Sequence, residues 1–224
     1  MALNILKSNN TPVLGVLFDL DGVVIDSESL YTRFWMAAAG DLGFPMTREQ
    51  ALQMRSLNPG LAKSKIESFF GKEADYAAIR AHRIELMNAH IEAHGVDEKP
   101  GIRALLALLK EKNIPCAITS STALPVIRQH LGRLGLLEGF TALCSGKDVP
   151  RGKPAPDIYL AGAAALGLKP ENCLAIEDSP TGVEAAWRAG CKTVIVPDQD
   201  QPDDVTLSRC FARADSLFDV MELV

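Results

Sequence analysis

The sequence predicts an α/β protein, a doubly wound parallel sheet with an all-helical domain inserted after its first strand. Two observations predict this class. Short apolar runs that end abruptly in polar residues alternate with helical patterns, as βα units around a buried parallel sheet do. Between about residues 28 and 98, by contrast, only helical patterns are found. We therefore expect an α/β core formed by residues 1–27 and 99–224, and a helical cap formed by residues 28–98.

Four apolar runs are expected to form core strands, and eight segments have helical patterns. The predicted strands are 13–18, 116–118, 173–176 and 193–196. The predicted core helices, which are bounded by Gly or Pro, are 102–112, 124–134, 157–166 and 181–189. The predicted helices of the insertion are 29–39, 48–55, 61–70 and 76–93.

The composition excludes several classes of protein. The chain has 224 residues, of which 47% are hydrophobic and 23% charged, so a sizeable core is expected and a membrane protein is not. A net charge of −5 without a basic stripe argues against a nucleic-acid partner. Five cysteines without a C-x-x-C pair favour reduced thiols, and the apolar start is too short for a secretory signal. We expect a cytoplasmic monomer.

Two pairs of acids follow predicted strands. Asp19 and Asp21 follow the first strand, and Glu177 and Asp178 close another. Taken alone, the first pair is more typical of a turn or a helix cap, and the second of a helix N-cap. Ligands of parallel sheets bind at the carboxyl ends of the strands, however, and two acid pairs at that edge would repel each other without a cation. Carboxylate oxygens suit Mg²⁺, so the acids predict a magnesium site.

Two further residues carry weaker signals. Ser120 ends the second predicted strand, where its hydroxyl could donate to a phosphate oxygen or could cap the next helix. Lys153 lies in the loop Arg-Gly-Lys-Pro-Ala-Pro, and a single loop lysine is by itself typical of a solvated surface charge.

Four segments together resemble the haloacid dehalogenase superfamily in its phosphatase branch. They are Asp-Leu-Asp-Gly-Val at 19–23, Thr-Ser-Ser at 119–121, Gly-Lys-Pro-Ala-Pro-Asp at 152–157 and Ile-Glu-Asp-Ser-Pro-Thr-Gly-Val at 176–183. Each motif alone is weak, but the ordered set is specific, and the resemblance covers about residues 11–200.

The resemblance implies a role for each acid. Asp19 would be the nucleophile that becomes an aspartyl-phosphate. Asp21 would protonate the leaving oxygen and then activate water, and its backbone carbonyl would touch the metal. Asp178 would bind Mg²⁺ together with Asp19, and Glu177 would do so directly or through water.

The resemblance also implies phosphate contacts and a shape for one loop. Ser120, Ser121 and Lys153 would hold the oxygens of the transferring phosphoryl group. The Lys153–Pro154 peptide bond is expected to be cis, which would aim the lysine at the site. The cap would close over the strand ends and exclude water.

The closest resemblance is to the group of β-phosphoglucomutase and sugar-phosphate phosphatases. An acid at Asp21 disfavours a dehalogenase, because a halide leaves without a proton. The mutase has a histidine where this chain has Tyr31, and a cap-loop arginine whose counterpart is Pro59, with Arg55 as the candidate that could replace it. Arg55 and Asn58 are thus the expected substrate contacts in the cap.

The predicted function is Mg²⁺-dependent hydrolysis of a small phosphorylated metabolite, for which a sugar phosphate is the candidate substrate. A phosphosugar mutase on the same fold is the alternative. A third hypothesis is a domain that binds a phosphorylated ligand or a protein partner without catalysis.

Overall fold

The computed structural model describes residues 3–7, 11–55, 57, 59–198 and 201–224. Contacts between Cα atoms divide the chain into two compact units. One unit consists of Met1–Asp26 and Asp97–Val224, and the other, the helical unit, is Ser27–Val96. No helix among the described residues is both long and apolar enough to span a bilayer.

The larger unit contains a seven-stranded sheet. Its strands in chain order are β1 (Leu3–Ile5), β2 (Gly15–Phe18), β3 (Cys116–Ser120), β4 (Ala142–Ser145), β5 (Cys173–Glu177), β6 (Lys192–Ile195) and β7 (Ala212–Ala214). Their order across the sheet is β1-β7-β6-β5-β2-β3-β4. β1 pairs antiparallel with β7, and every other pairing is parallel. β2, β3 and β5 are buried at every residue, which explains why they read as continuous apolar runs.

Helices cover both sides of this sheet. Numbered after the four helices of the helical unit, the helices of the larger unit are α5 (Ile102–Glu111), α6 (Leu124–Leu134), α7 (Asp157–Ala165), α8 (Pro180–Ala189), α9 (Asp204–Arg209) and α10 (Leu217–Val220). α8 begins with Pro180 directly after its N-cap Ser179, whose side chain accepts a hydrogen bond from the Gly182 amide. α6 ends at Leu134, and its C-cap Gly135 has the left-handed conformation. Pro180 and Gly135 are thus examples of the Pro and Gly residues that were expected to bound the core helices.

The helical unit has its own hydrophobic core. It contains α1 (Ser27–Asp41), α2 (Arg48–Leu52), α3 (Pro59–Phe70) and α4 (Tyr76–His94). Trp35 and Ala38 of α1, Ile66 of α3 and Ile79 of α4 are buried in that core. The chain enters and leaves the unit at neighbouring points, because the Asp26 amide donates to the Asp97 carbonyl oxygen over 2.8 Å.

The predicted fold class is confirmed, with corrections to its strands and helix ends. The insertion follows the second strand of the chain rather than the first, because the short strand β1 precedes β2. β1, β4 and β7 were missed, since segments of three or four residues carry little periodicity. The second helix of the insertion ends at Leu52 instead of residue 55, and the third begins at Pro59.

Candidate active site

Predicted site residues lie together at one edge of the sheet. Asp19 directly follows β2, which lies between β3 and β5. Phe18 is in register with Ile118 of β3 and with Ile176 of β5. Since parallel strands end at the same edge, Ser120 and Glu177 flank the position of Asp19.

Lys153 connects two of these acids. Its ammonium nitrogen Nζ donates to Asp19 Oδ1 over 2.6 Å and to Glu177 Oε1 over 2.5 Å, and its side chain is only 9% exposed. The loop that carries it has the predicted cis bond between Lys153 and Pro154. The structure therefore places Lys153 in a buried ion-pair network and not on the surface.

Glu177 is fully enclosed by partners. Besides the lysine, Oε1 accepts from the Tyr159 hydroxyl over 2.5 Å, and Oε2 accepts from the Ser179 hydroxyl over 3.1 Å. Tyr159 lies in α7 and was missed by the sequence analysis, because its only signal was a place in an apolar helical run. We conclude that Glu177 orients Lys153 through this network.

Burial and charge shift the pKa values of this network. Burial raises the pKa of the Asp19 carboxyl to about 7, against the opposing effect of Lys153. Although burial opposes it, the adjacent Asp19 and Glu177 carboxylates raise the pKa of Lys153 well above its ordinary value. Burial, with Glu177 beside the hydroxyl, also raises the pKa of Tyr159 well above its usual range. The lysine therefore stays charged at neutral pH.

Gly182 provides the room that Glu177 occupies. A Cβ atom built on Gly182 would lie 1.9 Å from the Glu177 carboxyl carbon. We expect Gly182→Ala to displace the carboxylate and to destabilise the fold by about 1–3 kcal/mol, as overpacking does. Urea denaturation measures this change.

The control is Gly132→Ala in α6, where a Cβ meets nothing within 4 Å. There we expect the free energy of unfolding to rise by up to about 1 kcal/mol. Equal effects of the two substitutions would contradict the steric reading.

The acids at this edge fit a divalent cation. Carboxylate oxygens of Asp19, Glu177 and Asp178 lie within 4.8 Å of one another. A set of donors made only of oxygen atoms suits Mg²⁺. The side chain of Asp21 is not part of this group, and its predicted contact through the backbone carbonyl stays a prediction.

Asp21 instead contacts a residue of the β3–α6 turn. The Thr122 hydroxyl donates to Asp21 Oδ2 over 2.9 Å. The Thr122 amide donates to Ser120 Oγ over 3.0 Å, and Ser120 itself is fully buried. Ser121 is exposed in the same turn. Thr122 was missed by the sequence analysis, although it directly follows the Thr-Ser-Ser motif.

The predicted substrate contacts belong to the helical unit. The Nε atom of Arg55 donates to Glu28 Oε2 over 2.7 Å, and their side chains are 11% and 20% exposed. Within the unit, Arg55 is thus held by an ion pair. Asn58 lies outside the described residues.

Comparison with known proteins identifies the family. The chain matches the family described as haloacid dehalogenase-like hydrolase over residues 16–196, and it belongs to that family. This confirms the predicted superfamily, together with the predicted enzyme class of phosphoric monoester hydrolases.

Individual relatives show the range of activities in this family. Hexitol phosphatase A of Escherichia coli (strain K12) is 38% identical over 184 residues, which cover 81% of this chain and 82% of that protein. β-Phosphoglucomutase of Bacillus subtilis (strain 168) is 33% identical over 196 residues, 84% of each chain. A haloacid dehalogenase family hydrolase from Deinococcus radiodurans R1, solved with bound phosphate and sodium, is 29% identical, with a TM-score of 0.76 and 89% of each chain covered.

Proposed function

We propose that this protein hydrolyses the phosphomonoester of a small metabolite through an aspartyl-phosphate on Asp19. The observation that carries the proposal is the position of Asp19 at a strand end, where Lys153 donates to its carboxylate and two further acids lie close by. Lys153 fixes the orientation of this carboxylate, and the lysine and the neighbouring acids are groups that can hold a phosphoryl group and a metal ion beside it.

The proposed reaction has two steps. In the first, an oxygen of Asp19 bonds to phosphorus, the bond from phosphorus to the ester oxygen breaks, and Asp21 gives its proton to that leaving oxygen. In the second, water bonds to phosphorus, the bond to Asp19 breaks, and Asp21 accepts the proton from the water. The carboxyl group of Asp21 therefore returns to its first state in each turnover.

The remaining residues bind and orient the phosphoryl group. Lys153 offsets negative charge beside Asp19, and Ser120 and Ser121 are the proposed donors to the phosphoryl oxygens. Asp19, Asp178 and Glu177, with the Asp21 carbonyl, would hold Mg²⁺. When bound, this ion would supply further positive charge for the phosphoryl oxygens.

Among phosphate esters, we propose a sugar or polyol phosphate as the substrate. The relative named hexitol phosphatase A supports this class. The relative named β-phosphoglucomutase supports the alternative, a phosphosugar mutase. Tyr31, in place of the mutase histidine, favours hydrolysis.

The test is a screen of alkyl and sugar phosphates together with 4-nitrophenyl phosphate, with and without Mg²⁺. We expect release of inorganic phosphate that stops in EDTA and returns with Mg²⁺. Isomerisation of β-glucose 1-phosphate, in the presence of a trace of the bisphosphate and without phosphate release, would establish the mutase. Hydrolysis of none of these esters would leave a non-catalytic binding domain.

Arg55 and Asn58 of the helical unit are the proposed specificity residues, and this unit is the proposed cap domain. In the same screen, we expect Arg55→Ala and Asn58→Ala to change the preference among sugar phosphates while turnover of 4-nitrophenyl phosphate is kept. Glu28→Gln is the control, because it removes the charge from the partner of Arg55 and retains the arginine. An identical shift in preference for Glu28→Gln and Arg55→Ala would assign the effect to local structure instead of substrate contact.

The setting of the enzyme is also part of the proposal. All five cysteines are free, four of them buried, which supports a reducing cytoplasm. We propose a monomer that acts on a small molecule, without a nucleic-acid or membrane partner.

A further inference from the structure

Thr122 touches the proposed proton donor but belongs to none of the motifs recognised in the sequence. It lies in the turn between β3 and α6, and its hydroxyl donates to Asp21 Oδ2 over 2.9 Å. The two residues are 101 positions apart in the chain, so only the tertiary fold brings them together. Both are partly buried.

The main chain of Thr122 is held in place relative to the sheet. The Thr122 amide donates to Ser120 Oγ over 3.0 Å, and its carbonyl oxygen accepts from Ser145 Oγ over 2.8 Å. Ser120 and Ser145 are the last residues of β3 and β4, lie opposite each other in register, and are almost completely buried. The Lys147 amide in turn donates to Ser145 Oγ over 3.1 Å. Both the amide and the carbonyl group of Thr122 are therefore hydrogen-bonded to buried serines at the ends of strands.

The proposed role of Asp21 requires a carboxyl group with a defined orientation. Asp21 lies two residues after Asp19, where the chain turns at Gly22 with a φ of +78°. A proton donor is effective only when its oxygen stays within hydrogen-bond reach of the leaving oxygen. A hydroxyl that is carried by a held main chain and donates to Oδ2 limits rotation of the carboxyl group about the side-chain bonds.

We propose that Thr122 is a positioning residue that holds the Asp21 carboxyl group in place for proton transfer to the leaving oxygen. The proposal rests on the proposed function, in which Asp21 is the general acid. Thr122 exchanges no proton with the substrate, and it acts only through its hydrogen bond to Oδ2.

This role predicts a loss that depends on the leaving group. An alkyl phosphate releases an alkoxide, a strong base that must be protonated as it leaves. 4-Nitrophenyl phosphate releases a weakly basic phenolate that leaves with little help from an acid. A residue that merely supports the fold would affect both substrates alike.

The experiment compares kcat/KM for 4-nitrophenyl phosphate and for the alkyl phosphate that the native protein hydrolyses best. The ratio kcat/KM is used because it reports the first phosphoryl transfer, in which the leaving group departs. For Thr122→Val we expect a loss of about 30-fold with the alkyl phosphate and of less than about 3-fold with the aryl phosphate. Thr122→Ser, which keeps the hydroxyl, should restore most of the alkyl activity.

Thr119→Val is the matched control. Thr119 lies in β3, is fully buried, and donates its hydroxyl to the Phe18 carbonyl oxygen over 3.1 Å, so the same change removes a similar hydrogen bond without touching Asp21. Any loss in this control should have the same factor for both substrates. Thr122→Ala is measured in parallel, so that a valine misfit in the turn does not decide the result.

Two results would overturn the proposal. One is equal losses with the two substrates in both Thr122→Val and Thr122→Ala, and the other is full alkyl activity in either folded variant. Failure of the proposed function gives a different result, because the native protein would then hydrolyse neither substrate.

Discussion

Asp19→Asn is expected to lower kcat for phosphate release by on the order of 10⁶-fold, comparable to the loss of the nucleophile in a serine protease. An amide cannot form the aspartyl-phosphate, and it also removes an oxygen ligand from the group of acids that fits Mg²⁺. The measurement is release of inorganic phosphate from 4-nitrophenyl phosphate at saturating Mg²⁺. Turnover within tenfold of the native value would exclude Asp19 as the covalent nucleophile.

The same variant provides its own control for folding. Burial raises the pKa of Asp19 to about 7 from an unfolded value near 3.8, so the native state binds the extra proton between these pH values. In EDTA, the native protein should therefore lose stability relative to Asp19→Asn as the pH rises from about 4 to 7, with no further change above. Urea denaturation over this range measures the difference. If the variant is folded and at least as stable as the native protein at pH 8, its loss of activity does not result from unfolding.

Lys153→Met is expected to damage both stability and turnover. Without the ammonium group, the Asp19 and Glu177 carboxylates lose the cation that lies within 2.6 Å of both. An uncompensated buried charge costs about 3 kcal/mol, and loss of the phosphoryl-binding charge should reduce kcat by roughly 10³-fold. Urea denaturation in EDTA at pH 8 and phosphate release with Mg²⁺ measure the two effects.

Two controls separate buried charge from other causes. Lys63→Met removes a lysine that pairs with Glu67 on the surface of α3, where the side chain is 65% exposed, and should cost less than about 1 kcal/mol. In the Lys153→Met background, Glu177→Gln removes one of the two unpaired charges and should restore part of the lost stability. If the second substitution lowers stability further, the cost of Lys153→Met lies in packing and not in charge.

The sequence by itself determined the fold class and the chemical types present at the site. β2, β3 and β5 are buried on both faces, so their apolar runs and the polar residues that end them were visible without a structure. Helices α1 to α8 were equally visible, because Gly and Pro residues mark their ends, but the short helices α9 and α10 were missed. Asp19 and Glu177 were found because each lies at the end of an apolar run, whereas Lys153 was assigned only through the family resemblance of the loop that carries it.

Only the tertiary structure decided which of these groups contact each other. The sequence suggested a metal contact for Glu177, but only the structure shows that its carboxylate also accepts hydrogen bonds from Lys153, Tyr159 and Ser179. The contact between Thr122 and Asp21 joins residues 101 positions apart in the chain, and the residue types alone do not predict that these two side chains meet. Composition and periodicity report which face of an element is buried, because burial depends on local patterns of apolar residues. Which polar side chain donates to which depends on the register of neighbouring strands and the path of the loops, and no local pattern encodes these.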